Sequence, residues 1–169
     1  MKAILIKNGI LYDLKKDEYD KKDLIMRDGK IIEISENLSE QYKDTEVIDL
    51  KEKFVFPGFI DCHTHLGIIE ECTGKIGADN NETSDPVTPH LNGIDGINPL
   101  DVSFKDAIKS ITVNAAEILN CQDRIGELEV SYDADIVVYD GNPLDIKSKV
   151  ELTIIDGEIV FKREWILIC

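Results

Sequence analysis

The sequence predicts a mainly β protein: a composite β-sandwich assembled from both ends of the chain, with an α/β excursion between them. Three observations lead there. Asn-Gly or Asp-Gly stands between short apolar runs at Asn8-Gly9, Asp28-Gly29 and Asp156-Gly157, and these dipeptides supply the φ > 0 pair that a two-residue type I′ hairpin needs. The signals cluster near the termini, whereas Thr73 to Asn98 is rich in Gly, Asn, Asp, Thr and Pro and has no apolar period. Neither end alone has enough strands to bury a core, so each is expected to complete the other.

Taken in order, Lys2 to Ile6 and Ile10 to Leu14 flank the first dipeptide, and Leu24 to Arg27 and Lys30 to Ile34 flank the second. Val47 to Leu50 and Phe54 to Phe56 are expected to pair around Lys51-Glu52. Phe104, Ala107, Ile108, Ile111, Ala115, Ile118 and Leu119 recur at helical spacing. Asn114 and Glu117 resemble a capping box that starts a second helix within that stretch. Gly126-Glu127-Leu128 leads toward one more strand, Ala134 to Tyr139, and Pro143 marks a loop. Leu152 to Ile155 and Glu158 to Lys162 form the last expected hairpin. The division that follows is a composite β domain of residues 1–56 and 120–169, with 57–119 as the excursion.

Composition narrows the function. In 169 residues, 34 carboxylates face 19 Lys and Arg, a formal net charge of −15. That balance argues against nucleic acid, which asks for a basic patch, and against anionic lipid. No signal-peptide apolar region and no run of about 18 apolar residues is present. Cys62, Cys72, Cys121 and Cys169 form no C-x-x-C pair. Reduced thiols and a cytoplasmic protein are the expectation.

The sharpest motif is Phe56-Pro57-Gly58-Phe59-Ile60-Asp61-Cys62-His63-Thr64-His65. On an extended strand, side chains two apart share a face, so Asp61, His63 and His65 point the same way. Two imidazoles at i and i+2 can share one metal, and Asp61 can serve as a ligand or as the carboxylate that orients a histidine. The plainer alternative is a pair of surface histidines on an edge strand.

With that motif in place, the chain resembles the amidohydrolase superfamily. Pro57-Gly58-Phe59-Ile60-Asp61 with His63 and His65 is similar to the end of its first barrel strand. Ala78 to Asp101, containing Asp85-Pro86-Val87-Thr88-Pro89-His90 and Ile94-Asp95-Gly96-Ile97-Asn98-Pro99, looks like the long first loop of the imidazolonepropionase-like members. Ile111 to Leu119, Gly126 to Val138 and Val150 to Glu164 resemble the last helix, the returning strand and the terminal hairpin. The resemblance implies a (β/α)₈ barrel carrying a small sandwich made from both chain ends. It also implies metal-dependent hydrolysis of C–N bonds in cyclic or acyl amides, with small-molecule amides as substrates. His63 and His65 would hold a divalent metal, zinc first, with manganese or iron as alternatives. His90 is a further metal candidate, set against a solvated loop histidine.

The departure from that pattern is large. Such a barrel takes roughly 250 residues, and this chain has only 57–119 to spend on it. The family's bridging lysine or carboxylate, its later histidines and its final-strand aspartate have no matching positions, and the chain holds 3 histidines in all. The leading and trailing segments are expected to join between Asp106 and Ile111, leaving a short remnant of the barrel. An internally shortened chain of this kind is expected to be inactive alone. The rival readings are a non-catalytic β-sandwich module that self-associates or meets a partner through the exposed remnant, and a weak metal-binding protein.

Overall fold

Two of the three glycine dipeptides form the expected turn. The computed structural model describes residues 3–42, 45–61 and 102–163. Strands β1 (Ile4–Asp13), β2 (Glu18–Arg27) and β3 (Lys30–Ser35) are followed by a 3-10 turn at Leu38–Glu40, then β4 (Glu46–Asp49) and β5 (Phe54–Pro57). Helices α1 (Phe104–Ser110) and α2 (Val113–Ile118) precede β6 (Ile136–Tyr139), β7 (Val150–Ile155) and β8 (Glu158–Lys162). Arg27 pairs with Lys30 across Asp28-Gly29, and Ile155 pairs with Glu158 across Asp156-Gly157. All four turn residues have φ between 51° and 76°, the type I′ pattern.

Asn8-Gly9 makes no hairpin. β1 runs straight through it, and two residues, Lys7 and Asn8, face the single Asp23 of β2 between the Ile6–Leu24 and Gly9–Lys22 pairs. This is a β-bulge, with Asn8 at φ 56°. The Asn8 N–H donates to Asp23 (2.9 Å) and its side-chain amide to Asp49 (3.0 Å). The bulge shifts the phase of the strand. Before it, Ile4 and Ile6 face the main core and Leu5 faces the other side; after it, Leu11 faces the main core and Tyr12 the other side.

The bulge also marks a change of neighbour. β4 and β5 do not pair with each other around Lys51-Glu52 as expected. Both lie parallel to β1, β4 against Ile4–Lys7 and β5 against Ile10 and Leu11. Lys51 and Glu52, at φ 50° and 64°, jog the chain from one half of β1 to the other. A further strand segment, Glu18 to Asp23, completes a β1–β2 hairpin closed by the Asp13–Glu18 pair.

The expected sandwich is thus one mixed eight-stranded sheet, ordered β3-β2-β1-β5-β6-β7-β8, with β4 beside β1. Its two chain ends meet at β5 and β6, where Phe54, Val55, Phe56 and Pro57 pair with Tyr139, Val138, Val137 and Ile136. The sheet curls around a core shared by both ends: Ile6, Leu24, Met26 and Val55 pack with Ile136, Val138, Leu152 and Ile154. On the outer face, α1 lays Ile108 and Phe104 over Tyr12, Phe56 and Val137. A third cluster of Ala3, Leu5, Ile25 and Leu38 closes the β1–β2 side.

Curling brings the two genuine hairpin turns together. The Ala134 N–H donates to the Gly29 carbonyl (2.8 Å), and the Ala134 carbonyl accepts from the Gly157 N–H (3.1 Å). A Cβ on Gly157 would stand 3.1 Å from the Gly29 Cα, and one on Gly29 would run into the Asp156 side chain. Glycine is therefore required here for close approach as well as for its φ.

Beside this contact, buried Asp133 accepts from Lys30 and from Arg124 (2.7 Å), joining β3 to the segment that leads into β6. Burial alone pushes the Asp133 carboxyl up, but hydrogen bonds and charge from Lys30 and Arg124 outweigh it and hold the group below its ordinary value. The unfolded carboxyl titrates near about 3.9, so the stabilisation is complete above that pH and is lost as the pH falls toward the lower folded value. Asp133→Asn is expected to lower the urea midpoint at neutral pH, and the gap from wild type should narrow below about pH 4. Urea titrations of both proteins across that range check this; a constant gap would contradict it.

The helical stretch breaks, but not at the expected cap. Ser103 caps α1, its Oγ accepting from the Asp106 N–H at 3.1 Å. Residues 106–110 are continuous helix, so the expected join region is helical throughout. Thr112, not Asn114, stands at the start of α2, and its hydroxyl donates back to the Ile108 carbonyl (2.7 Å) instead of capping.

Candidate functional site

The candidate site begins where β5 leaves the sheet. Pro57 still pairs with Ile136. The Gly58 N–H then donates to the Asp135 carbonyl at 2.8 Å. A Cβ on Gly58 would stand 3.0 Å from the Asp135 Cβ, so this crossing is tight. Phe59 stacks on Tyr139, centroids 6.0 Å apart and planes at 30°. The Ile60 N–H donates to the Ile111 carbonyl at 2.8 Å. That carbonyl is available because the break between α1 and α2 removes its helical partner. Pro57 to Ile60 is thereby held by the sheet, an aromatic stack and a helix break, all contributed by the far end of the chain.

Asp61 follows at once and is exposed. Of the expected metal residues, Asp61 alone is described; His63, His65 and His90 lie outside the described residues. Among the described residues no three His, Cys, Asp or Glu side chains come together as a metal-binding group. The described part therefore offers one donor, which does not by itself fit a metal.

An apolar cleft of about 280 Å³ opens beside this departure, between Phe59, Ile60 and Ile125 on one side and Val137, Thr153 and Ile155 on the other. Among the described residues its one lining carboxylate, Asp135, accepts from the Asp156 N–H at 2.8 Å and is engaged in the fold. A smaller cleft, about 110 Å³, lies beside Tyr12, Lys15 and Glu129. There Lys15 is held between Glu127 (2.8 Å) and Glu129. The hydrogen bonds that the ammonium donates to Glu127 and Glu129 push it above its usual range. Burial first, then the bond to Asp17, pushes the Tyr12 phenol up in the same way.

The other buried carboxylates are likewise spent on structure. Asp23 accepts the Asn8 and Leu38 N–H groups, each at 2.9 Å, and Glu151 faces Lys53 at 3.5 Å and Arg163 at 3.9 Å. Among the described residues, no buried side-chain N or O lacks a hydrogen-bond partner. Sequence reasoning did not pick out Gly58 or Ala134-Asp135 as the residues that hold the departing strand. The only local signal was their place beside an apolar strand.

Relatives bear on this geometry. A family model described as the amidohydrolase family matches residues 92–161. The chain is 43% identical over 63 residues to dihydropyrimidinase 1 of Caenorhabditis elegans, covering 37% of this chain and 12% of that protein. It is 44% identical over 62 residues to a dihydroorotase of Fusobacterium nucleatum, covering 37% and 14%. To adenine deaminase 2 of Oenococcus oeni it is 36% identical over 59 residues, covering 35% and 10%. The chain thus matches only a small part, 10–14%, of the length of these curated relatives. Among solved structures, an amidohydrolase from Thermotoga maritima is similar with a TM-score of 0.68 at 18% identity, over 95% of this chain and 100% of that one. A second crystallised amidohydrolase gives 0.69 at 12% identity, over 97% and 100%. At those identities the likeness is one of fold, and the fold is that of amidohydrolases. The family match and the likeness of fold together support membership of the amidohydrolase superfamily. The residues that carry the narrower likeness to imidazolonepropionase-like members, Ala78 to Asp101, lie outside the described residues.

Proposed function

We propose that the chain is the composite β domain of an amidohydrolase with its leading metal-ligand strand attached, and that it has no turnover on its own. The reading rests on one observation: Pro57 to Ile60 is held rigidly by the returning half of the chain and delivers Asp61 to the surface. In this proposal residues 1–56 and 120–169 are the composite domain, and 57–119 are a remnant of a (β/α)₈ barrel. His63 and His65 hold a divalent metal, zinc before manganese or iron, and Asp61 joins them as a ligand or orients one imidazole. His90 is a weaker candidate. Such a metal, when bound, makes a water acidic enough to attack at neutral pH. The substrate class is cyclic amides and related C–N compounds, by likeness to dihydropyrimidinase and dihydroorotase. The setting is cytoplasmic, with a second copy or another protein where the barrel would stand.

The absence of turnover follows from the groups such chemistry needs. Activating water, polarising a carbonyl and protonating a leaving nitrogen require several residues around one enclosed cavity. Every buried carboxylate described here already serves the fold. Two imidazoles and one carboxylate also leave a metal partly open to water, so binding should be weak.

The test measures bound zinc and manganese, and hydrolysis of dihydropyrimidines, dihydroorotate and N-acyl compounds, for wild type and His63→Ala/His65→Ala. Weak metal binding lost in the variant, with no hydrolysis by either protein, is expected. Equal metal content in both would remove the two histidines from the site. Metal-dependent turnover abolished by His63→Ala would overturn the inactive reading.

A further inference from the structure

We draw no further inference here: the strongest candidate, the apolar cleft between Phe59–Ile60 and the outer face of β6 and β7, with exposed Ile155 and Phe161 near it, carries nothing because nothing in the structure shows what covers it.

Discussion

A chain ending at Ser110 will not unfold cooperatively. That truncation removes β6, β7 and β8, and with them the partner of every β5 residue in the β5–β6 pairing. The main core loses Ala134, Ile136, Val138, Leu152 and Ile154, and the outer core loses Val137. The Gly29 carbonyl loses Ala134, and Lys30 loses Asp133. What remains is an open sheet with one face of its core exposed and a bare hydrogen-bonding edge on β5, which favours aggregation over folding. Because the single tryptophan, Trp165, is also removed, far-UV circular dichroism during urea titration is the appropriate readout. A cooperative transition from the truncated chain would show that the leading half folds alone.

Phe56→Ala will cost about 3–5 kcal/mol, the usual range for deleting a buried phenylalanine ring. Phe56 is fully buried in β5. Its ring lies 5.7 Å from that of Tyr12, 6.3 Å from Phe104, and 6.4 Å from Phe59 and from Tyr139. These neighbours come from β1, from the departing strand, from α1 and from β6, so one cavity loosens four elements. A domain of this kind has a total stability of about 5–15 kcal/mol, and the variant should unfold at a much lower urea concentration or fail to fold at 37 °C. Phe56→Leu, which fills part of the space, should cost clearly less. A loss below about 1 kcal/mol for the alanine variant would mean that the ring does not join these elements.

The legible part of this fold is the part whose signals are local. Asp28-Gly29 and Asp156-Gly157 gave true hairpins because each leads into an end strand of the sheet, β3 or β8, whose neighbour in the strand order is the strand just before it. Asn8-Gly9 has the same backbone preference but gave a bulge. Asp23 and Asp49 capture the Asn8 amides, and β2 on one side with β4 and β5 on the other keep β1 extended. The dipeptide supplies φ > 0 in either case; tertiary neighbours choose between turn and bulge.

Val47 to Leu50 and Phe54 to Phe56 misled for a related reason. Two short apolar runs close in sequence suggest a hairpin, yet β1 is long enough to take both in parallel. Glu18 to Asp23 carried no strand signal, since it is polar and lacks alternation; pairing with β1 imposes the strand. That strands from both chain ends share one sheet was legible because each end visibly lacked a partner. Of the motif that suggests the candidate site, the described residues reach Asp61. Which residues hold it in place, Gly58 against Asp135 and Ile60 against Ile111, depends on contacts between distant segments that no local pattern announces.

The central claim is that the two chain ends, with α1 and α2, form one domain without help from residues 62–101. Replacing residues 62–101 with a Gly/Ser linker of about 15 residues, which spans roughly 20 Å, tests it directly. The linked chain is expected to keep a single cooperative urea transition with a midpoint close to that of the full chain. Loss of that transition would contradict the account and show that the β domain depends on residues 62–101 for its fold.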